Sequence, residues 1–452
     1  MMSTAFAPAD AAPAKTASAR IAIIAILAAT VLVVLDAVIA NIALPSIAAS
    51  LRIAPTWSVG VVTAYQLALV MALLPCAALG ESLGYRRVFT SGVALFVAAS
   101  AACALAPSLP WLLVARFVQG LGGAAIMALG MALLRFVVPH EHLGAAIGWN
   151  ALAVALASAA GPTIGAAILS IADWHWLFAV NLPLGALILV AGKALPATGG
   201  NGRRIDITSA TLNGVAFAAL VSGTEMLPRS AGTGAAFLAL AGAAMAALVR
   251  RERSRTAPLI PLDLLRVRSF RISVTASICC FIGQTAALVA LPFHLQHGLG
   301  QTAMMTGLYL TPWPLAAAVS APLAGRLSAR IATGWLCAAG GLSLALGLAL
   351  AAFLPVHGSP ILIAATILPC GFGFGLFQVP NNRNMFLSAP RERSGAAGGM
   401  QGTARLTGQT LGALLMTLLL AWAPLAAAPR IGLAIAAVLA LTAGLISLLR
   451  VE

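Results

Sequence analysis

The chain has 452 residues, 61% of them hydrophobic and only 8% charged, with a mean hydropathy of +1.00 and a formal net charge of +15. A soluble domain carries charge on about a quarter of its residues, so the soluble classes are excluded. The basic excess lies in short segments between apolar runs, which also argues against a nucleic-acid binder.

Residues 1–19 are Ala-rich, with Pro8 and Pro13, and read as a disordered tail. Fourteen apolar spans follow, at roughly 20–45, 56–80, 88–106, 111–134, 143–170, 174–193, 207–227, 232–250, 270–297, 302–325, 334–354, 359–380, 394–422 and 427–449. Long continuous runs of Ala, Leu and Gly specify spanning helices rather than the alternating strands of a closed barrel. The first span is too long for a signal-peptide core, and no small-residue cleavage site stands out. With the N-terminus inside, 21 of the 26 Lys and Arg residues fall on the cytoplasmic side. Arg52, Arg229 and Arg430 fall outside, and Arg116 and Arg405 lie within spans. This asymmetry follows the positive-inside rule and places both termini in the cytoplasm.

Span 1 carries Asp36 in the run Leu35 to Pro45. A charge at mid-helix costs about 2.5–3.5 kcal/mol in a bilayer, so Asp36 needs a partner, a water-filled cavity or a proton. It sits about 12 Å from the outer end of span 1, and Arg116 about 8 Å into span 4 from the same side, at 1.5 Å per residue. Those depths suit an ion pair or a shared water. Burial raises a carboxylate's pKa and a neighbouring Arg lowers it. A carboxylate balanced between the two is a proton-coupling candidate, or else half of a static pair pinning span 1 to span 4. In span 5, Gly161-Pro162 distorts the helix or allows close approach of a neighbour. Glu225, near the outer end of span 7, reads as a vestibule residue or a snorkelling side chain. The second half has no acidic residue within a span; its intramembrane charge is Arg405, near mid-depth in span 13. Arg405 faces an anionic substrate group, or caps carbonyls and pairs with Asp36 in one state. This pattern disfavours a dedicated dication pump and suits a neutral, anionic or monocationic lipophile.

Cys76, Cys103, Cys279, Cys280, Cys337 and Cys370 lack metal-ligand spacing and read as packing residues. His140-Glu141-His142 is not a zinc motif, and there is no phosphate-binding loop of the GxxxxGK[ST] type. The expectation is therefore a non-enzyme with no metal or cofactor, driven by a proton gradient. A weak internal repeat relates Gly144–Gly148 to Gly395–Gly399, and Gly120 and Gly122 to Gly371 and Gly373. It predicts two parallel six-helix halves, 20–200 and 265–452, separated by an insertion of two helices and a linker at 201–264, with a site near the midplane between the halves.

Several segments carry a resemblance. Leu35 to Pro45 (LDAVIANIALP) is similar to a helix-1 signature L-D-x-T-x-x-N-x-A-L-P, and Trp57 to Tyr65 to the W-x(7)-Y at the start of helix 2. Ala77 to Arg87 resembles the loop 2–3 motif G-x-L-a-D-R-x-G-r-R-R, with Ala77, Glu81 and Ser82 departing from it. Arg116 to Gly120 matches R-x-x-Q-G, and Gly161 to Gly165 matches G-P-x-x-G. Trp174 to Phe178 with Asn181 to Gly185 resembles W-R-W-x-F…N-x-P-x-G, and Arg405 to Gly412 resembles R-x-x-G-x-x-x-G. Together these resemble the 14-helix drug:proton antiporter family of the major facilitator superfamily.

The resemblance implies an all-α integral membrane fold of two six-helix halves plus two inserted helices. It implies proton-coupled export of lipophilic small molecules across a bacterial cytoplasmic membrane, by a monomer in the lipid bilayer. Export of one endogenous metabolite or siderophore is the alternative. Asp36 and Arg116 form the expected coupling site. The expected cavity holds Asn41, Tyr65, Gln66, Gln119, Gln284, Trp313, Gln378 and Arg405, with Asn150 and Gln401 as further polar candidates. Glu81, Gly84, Arg86 and Arg87 form the expected cytoplasmic gate, and Gly161, Pro162 and Gly165 the conformational motif. Losing the motif's Arg at Ser82, and having Ala329 where a second-half copy carries Asp, weakens the gate.

Overall fold

The computed structural model describes residues 16–53, 55–58, 60–202, 206–228, 230–253, 259–301, 303–353, 360–424 and 427–450. Of the residues singled out above, the tail 1–15 and Arg229 lie outside this set, as do the side chains of Pro45, His140 and Pro162.

The described segments form fourteen rods with no strand among them: α1 (Thr16–Ser50), α2 (Gly60–Leu83), α3 (Tyr85–Ala104), α4 (Leu109–Val137), α5 (Leu143–Ile171), α6 (His175–Ala194), α7 (Ile207–Met226), α8 (Ala231–Glu252), α9 (Arg268–Phe293), α10 (Ala303–Leu310 and Pro312–Leu327), α11 (Thr333–Phe353), α12 (Pro360–Leu387), α13 (Ser394–Trp422) and α14 (Ala428–Leu448). Eleven of these are long and apolar enough to cross a membrane; α5, α10 and α12 complete the set. At about 1.5 Å per residue, the 20 to 35 residues of the uninterrupted rods reach across the hydrocarbon core. α10 is broken at Thr311, where Pro312 has no amide proton to continue the ladder. α1 begins at Thr16, earlier than the sequence suggests, and runs on to Ser50.

The core shows how the halves meet. One cluster of buried side chains runs through both halves at the end carrying the Arg-rich loops, and includes Leu129, Leu143, Ala324, Met385 and Ala396. The opposite end has two separate cores. Ile39, Val61, Leu112 and Phe178 belong to the first half, and Ala286, Leu344, Phe374 and Met416 to the second. The halves are therefore packed together at the Arg-rich end and parted at the other. The seam is lined with small residues. A methyl placed on Gly399 would lie 2.7 Å from Ala77 Cβ, and one on Gly144 would lie 2.8 Å from the Gly325 carbonyl oxygen. Glycine permits backbone to approach backbone here.

The inserted pair packs on the first half. Asn213 of α7 donates to the Met71 carbonyl of α2 at 2.8 Å, and Thr63 of α2 donates to Glu225 at 2.9 Å. At the end of α8, Glu252 is 1% exposed and accepts from Ser209 Oγ and the Leu259 amide. This anchors the linker that leads into the second half. Leu248, Leu259 and Leu264 join the shared core.

Candidate functional site

Asp36 projects from α1 into the first half, where it is 2% exposed. Four helices supply its surroundings. Arg116 of α4 donates through Nη1 to Asp36 Oδ2 at 2.6 Å. Gln119, one turn further on α4, donates to Oδ1 at 2.9 Å, and Asn181 of α6 donates to the same oxygen at 2.7 Å. Ser100 of α3 accepts from Gln119 at 2.8 Å and from Asn181 at 3.3 Å. Arg116 is held independently: Nε donates to the Val61 carbonyl at 3.1 Å, and Nη1 also reaches Gln119 Oε1 at 2.6 Å. Its guanidinium lies 4.3 Å from the Tyr65 ring centroid and 5.5 Å from that of Phe178. The aromatic faces favour the cation where water cannot solvate it. Among the polar atoms of this network, Arg116 Nη2 is left unpartnered.

The helices around this network are closely fitted. A methyl on Gly161 of α5 would lie 2.6 Å from Val38 Cγ1 of α1, so α5 touches α1 two residues from Asp36. Gly165 has ordinary clearance: its added methyl would meet Ile39 and Ile42 at 3.6 Å.

A cavity of about 50 Å³ lies between the halves. Its polar wall is Thr30, Asn150, Gln378, Asn382, Gln401 and Arg405. Met127, Met131, Ile147 and Val154 supply apolar surface. Thr30 and the two methionines sit on α1 and α4, the helices that carry Asp36 and Arg116. Six residues separate Thr30 from Asp36, about 9 Å along the helix. Among the described residues, Arg405 makes no hydrogen bond or ion pair, and its Nε is buried without a partner. Tyr65 lies within electrostatic reach of both the Asp36–Arg116 pair and Arg405.

The expected cavity residues divide accordingly. Gln378 and Arg405 line the cavity, together with Asn150 and Gln401. Gln119 does not: it is 0% exposed, and its amide is used by Asp36, Arg116 and Ser100. Tyr65 is also withdrawn, stacked on Arg116 with its hydroxyl directed to the Val33 carbonyl at 3.4 Å. Asn41 is exposed and donates to Ala37 of its own helix. Trp313 is 4% exposed, its carbonyl packed against Gly371, and Gln284 is half-buried; neither lines the cavity. Gln66 is exposed. It lies two turns from Leu73, whose side chain packs on Gly402 of α13, so it shares the inter-half face of α2 where the halves have parted. Asn382 and Thr30 escaped the sequence reading. Asn382 is one turn from Gln378 on α12, a spacing that signals a shared face.

The residues expected to form the gate are paired differently from the sequence expectation. Glu81 pairs with Arg393 of the second half, not with Arg86 or Arg87. Its other oxygen accepts the Ala396 amide at 2.8 Å, at the N-terminus of α13, where the helix dipole favours negative charge. Arg393 grips Asp263 with two bonds of 3.0 Å, so the missing second-half acid comes from the linker. Tyr85 donates to the Glu392 carbonyl at 2.9 Å and accepts from the Gly395 amide at 3.2 Å. Arg135 donates to Ser394 at 3.0 Å. Arg87 is exposed and Arg86 half-buried at the start of α3. Gly84 adopts φ +99°, a left-handed value that suits glycine, and precedes α3. Thr198 caps that helix by accepting from the Tyr85 amide at 2.9 Å. Arg405 does not meet Asp36 in this state, because the Asp36 oxygens are taken by Arg116, Gln119 and Asn181. Glu225 is exposed and bonded to Thr63. No cluster of metal-ligating side chains occurs among the described residues.

The sequence profile of the Major Facilitator Superfamily matches residues 26–413 and 273–452. The uncharacterized transporter YebQ of Escherichia coli (strain K12) is 46% identical over 394 residues, covering 86% of this chain and 86% of that protein. The multidrug resistance protein Stp of Mycobacterium tuberculosis is 33% identical over 399 residues, covering 86% of this chain and 74% of that protein. The solved structure of the proton:xylose symporter XylE superposes with a TM-score of 0.69 at 14% identity, covering 96% of both chains, and shares the fold. The chain belongs to the Major Facilitator Superfamily and is a multi-pass membrane transporter.

Proposed function

We propose that this member of the superfamily is a proton-coupled antiporter exporting lipophilic small molecules across a bacterial cytoplasmic membrane. Both termini and the Arg-rich loops lie inside, following the distribution of Lys and Arg. The parted end of the two halves then faces outward. The observation that carries the proposal is the sharing of α1 and α4 between a buried carboxylate network and a cavity between the halves. The name of Stp supports the drug-export reading by similarity.

The chemistry runs through Asp36. As a carboxylate it accepts three hydrogen bonds and neutralises Arg116. Taking up a proton removes the counter-charge and turns an acceptor into a donor, so Arg116, Gln119 and Asn181 must rearrange. Rearrangement moves α1 against α4 and changes the cavity wall. Substrate and proton favour opposite-facing states, and that difference in affinity is the coupling. Glu81, Arg393 and Asp263 close the inner end in the outward-facing state and separate in the inward-facing one.

The test is transport by the purified protein in liposomes under an imposed pH gradient. Wild type transports in proportion to the gradient, and Asp36→Asn loses the coupled component. Gradient-independent transport by wild type rules out antiport. Full coupling in Asp36→Asn removes Asp36 from the mechanism. A second reading, export of one endogenous metabolite, is favoured by the unpartnered buried polar atoms of Asn150 and Asn382, which suit a ligand with matching donors. Substrate screening against a deletion strain separates the two.

A further inference from the structure

We infer that the central cavity selects amphiphiles bearing a single negative charge, with Arg405 as their counter-ion. The inference rests on the export reading above and specifies its substrate class. Three observations converge on it. Among the described residues, Arg405 is the one charged residue of the cavity wall, and no carboxylate lines it. Arg405 has neither an ion-pair nor a hydrogen-bond partner among the described residues. Asp36, the acid that the sequence offers as its partner, is committed to Arg116, Gln119 and Asn181.

An unpaired cation in a site of low dielectric is costly, and a ligand anion that replaces its lost hydration is bound strongly. The same field repels a cation. Asn150 Oδ1 and Asn382 Oδ1 are also buried without partners in this wall. Either amide can turn to present its NH2 or its oxygen. They can hold the second oxygen of an acidic group, or a hydroxyl or amide beside it. Met127, Met131, Ile147 and Val154 receive the apolar body, and methionine adapts to varied shapes. The charge thus sets selectivity while the apolar wall tolerates variation in the rest of the molecule. Arg405 lies on α13, twelve residues from Arg393 at the cap of that helix, about 18 Å along it. The charge it neutralises on the ligand therefore sits on the same rod as the gate, and filling the cavity can be felt at the inner end.

The experiment uses three probes that share one ring and differ in a permanent charge: 2-naphthalenesulfonate, 2-naphthalenesulfonamide and (2-naphthylmethyl)trimethylammonium. Binding to the full chain in nanodiscs is measured for wild type, Arg405→Gln, Arg405→Lys and Gln378→Glu. The sulfonate is expected to bind most tightly. Arg405→Gln should weaken it by about tenfold or more, as loss of a charge-assisted contact implies. Arg405→Lys should retain an intermediate affinity, and the sulfonamide should bind wild type and Arg405→Gln alike. Gln378→Glu should weaken the sulfonate and strengthen the ammonium probe, which guards against misfolding of the Arg405 variants. Equal binding of the three probes, tighter binding of the ammonium, binding of none, or indifference to Arg405→Gln overturns the inference. The same protein is then assayed in liposomes under a pH gradient. Arg405-dependent sulfonate binding without gradient-driven transport defeats the antiport reading and leaves the assignment of Arg405 standing. Gradient-driven transport of the ammonium probe alone does the reverse.

Discussion

Asn181 of α6 donates to Asp36 Oδ1 of α1 at 2.7 Å, across 145 residues of sequence. With Gln119 on the same oxygen and Arg116 on the other, this contact makes Asp36 a fully engaged carboxylate rather than a lone charge in the membrane.

Asp36→Asn and Arg116→Gln should each lower thermal stability strongly. Removing one partner of a buried pair strands the other, at about 3–5 kcal/mol. The double variant should lose less than the two single losses combined, since neither charge is left alone. Unfolding in detergent read by intrinsic fluorescence checks this; strict additivity would mean that the two side chains are not energetically coupled.

Asn181→Ala tests whether α6 tunes Asp36. It removes one donor from Asp36 and leaves Arg116 in place. The expected loss is about 1–3 kcal/mol of stability, from an under-satisfied buried carboxylate. Coupled transport should persist with a displaced pH dependence. A pH profile superimposable on wild type would reduce Asn181 to a packing role.

Gly161→Ala and Gly165→Ala form a matched pair. The first places a methyl 2.6 Å from Val38, the second in ordinary contact at 3.6 Å. Overpacking costs about 1–3 kcal/mol, so Gly161→Ala should destabilise measurably while Gly165→Ala stays near wild type. Comparable midpoints for both would contradict the close α1–α5 fit.

Arg393→Ala should shift the protein toward the inward-facing state, because it releases Glu81 and Asp263 together. Spin labels at the exposed positions 83 and 391 should move apart in the variant. An unchanged distance distribution would show that the glycine seam alone holds the gate. Arg87→Ala, whose side chain is exposed, should leave the distribution unchanged.

The architecture was legible because bilayer thickness and the placement of Arg constrain fourteen helices directly. The Asp36–Arg116 pair was also legible, from matching depths on two spans. Gln119 was misassigned to the cavity although its position one turn from Arg116 puts the two on one helix face. Asn181 stands in a motif that names no partner for it, and Ser100 carries no signal, because a contact between distant helices depends on how the half packs. In sequence Arg393 is one more cytoplasmic arginine, and Asp263 falls in the linker. A positive-inside loop looks the same in sequence whether its arginines face lipid headgroups or an acid on the other half.

The seam between Gly144 and Gly325, and between Gly399 and Ala77, has a thermodynamic consequence. Backbone and single methyl groups meet there, but Leu73 on Gly402 and the core shared by the halves, with Leu129 and Met385, lie beside them, so parting the seam wets apolar carbons. Apolar hydration is what gives protein transitions their heat capacity. The exchange between the two faces should therefore carry a heat-capacity change set by the difference between the apolar area wetted here and that covered at the opposite end, and the balance between them should drift with growth temperature by that difference.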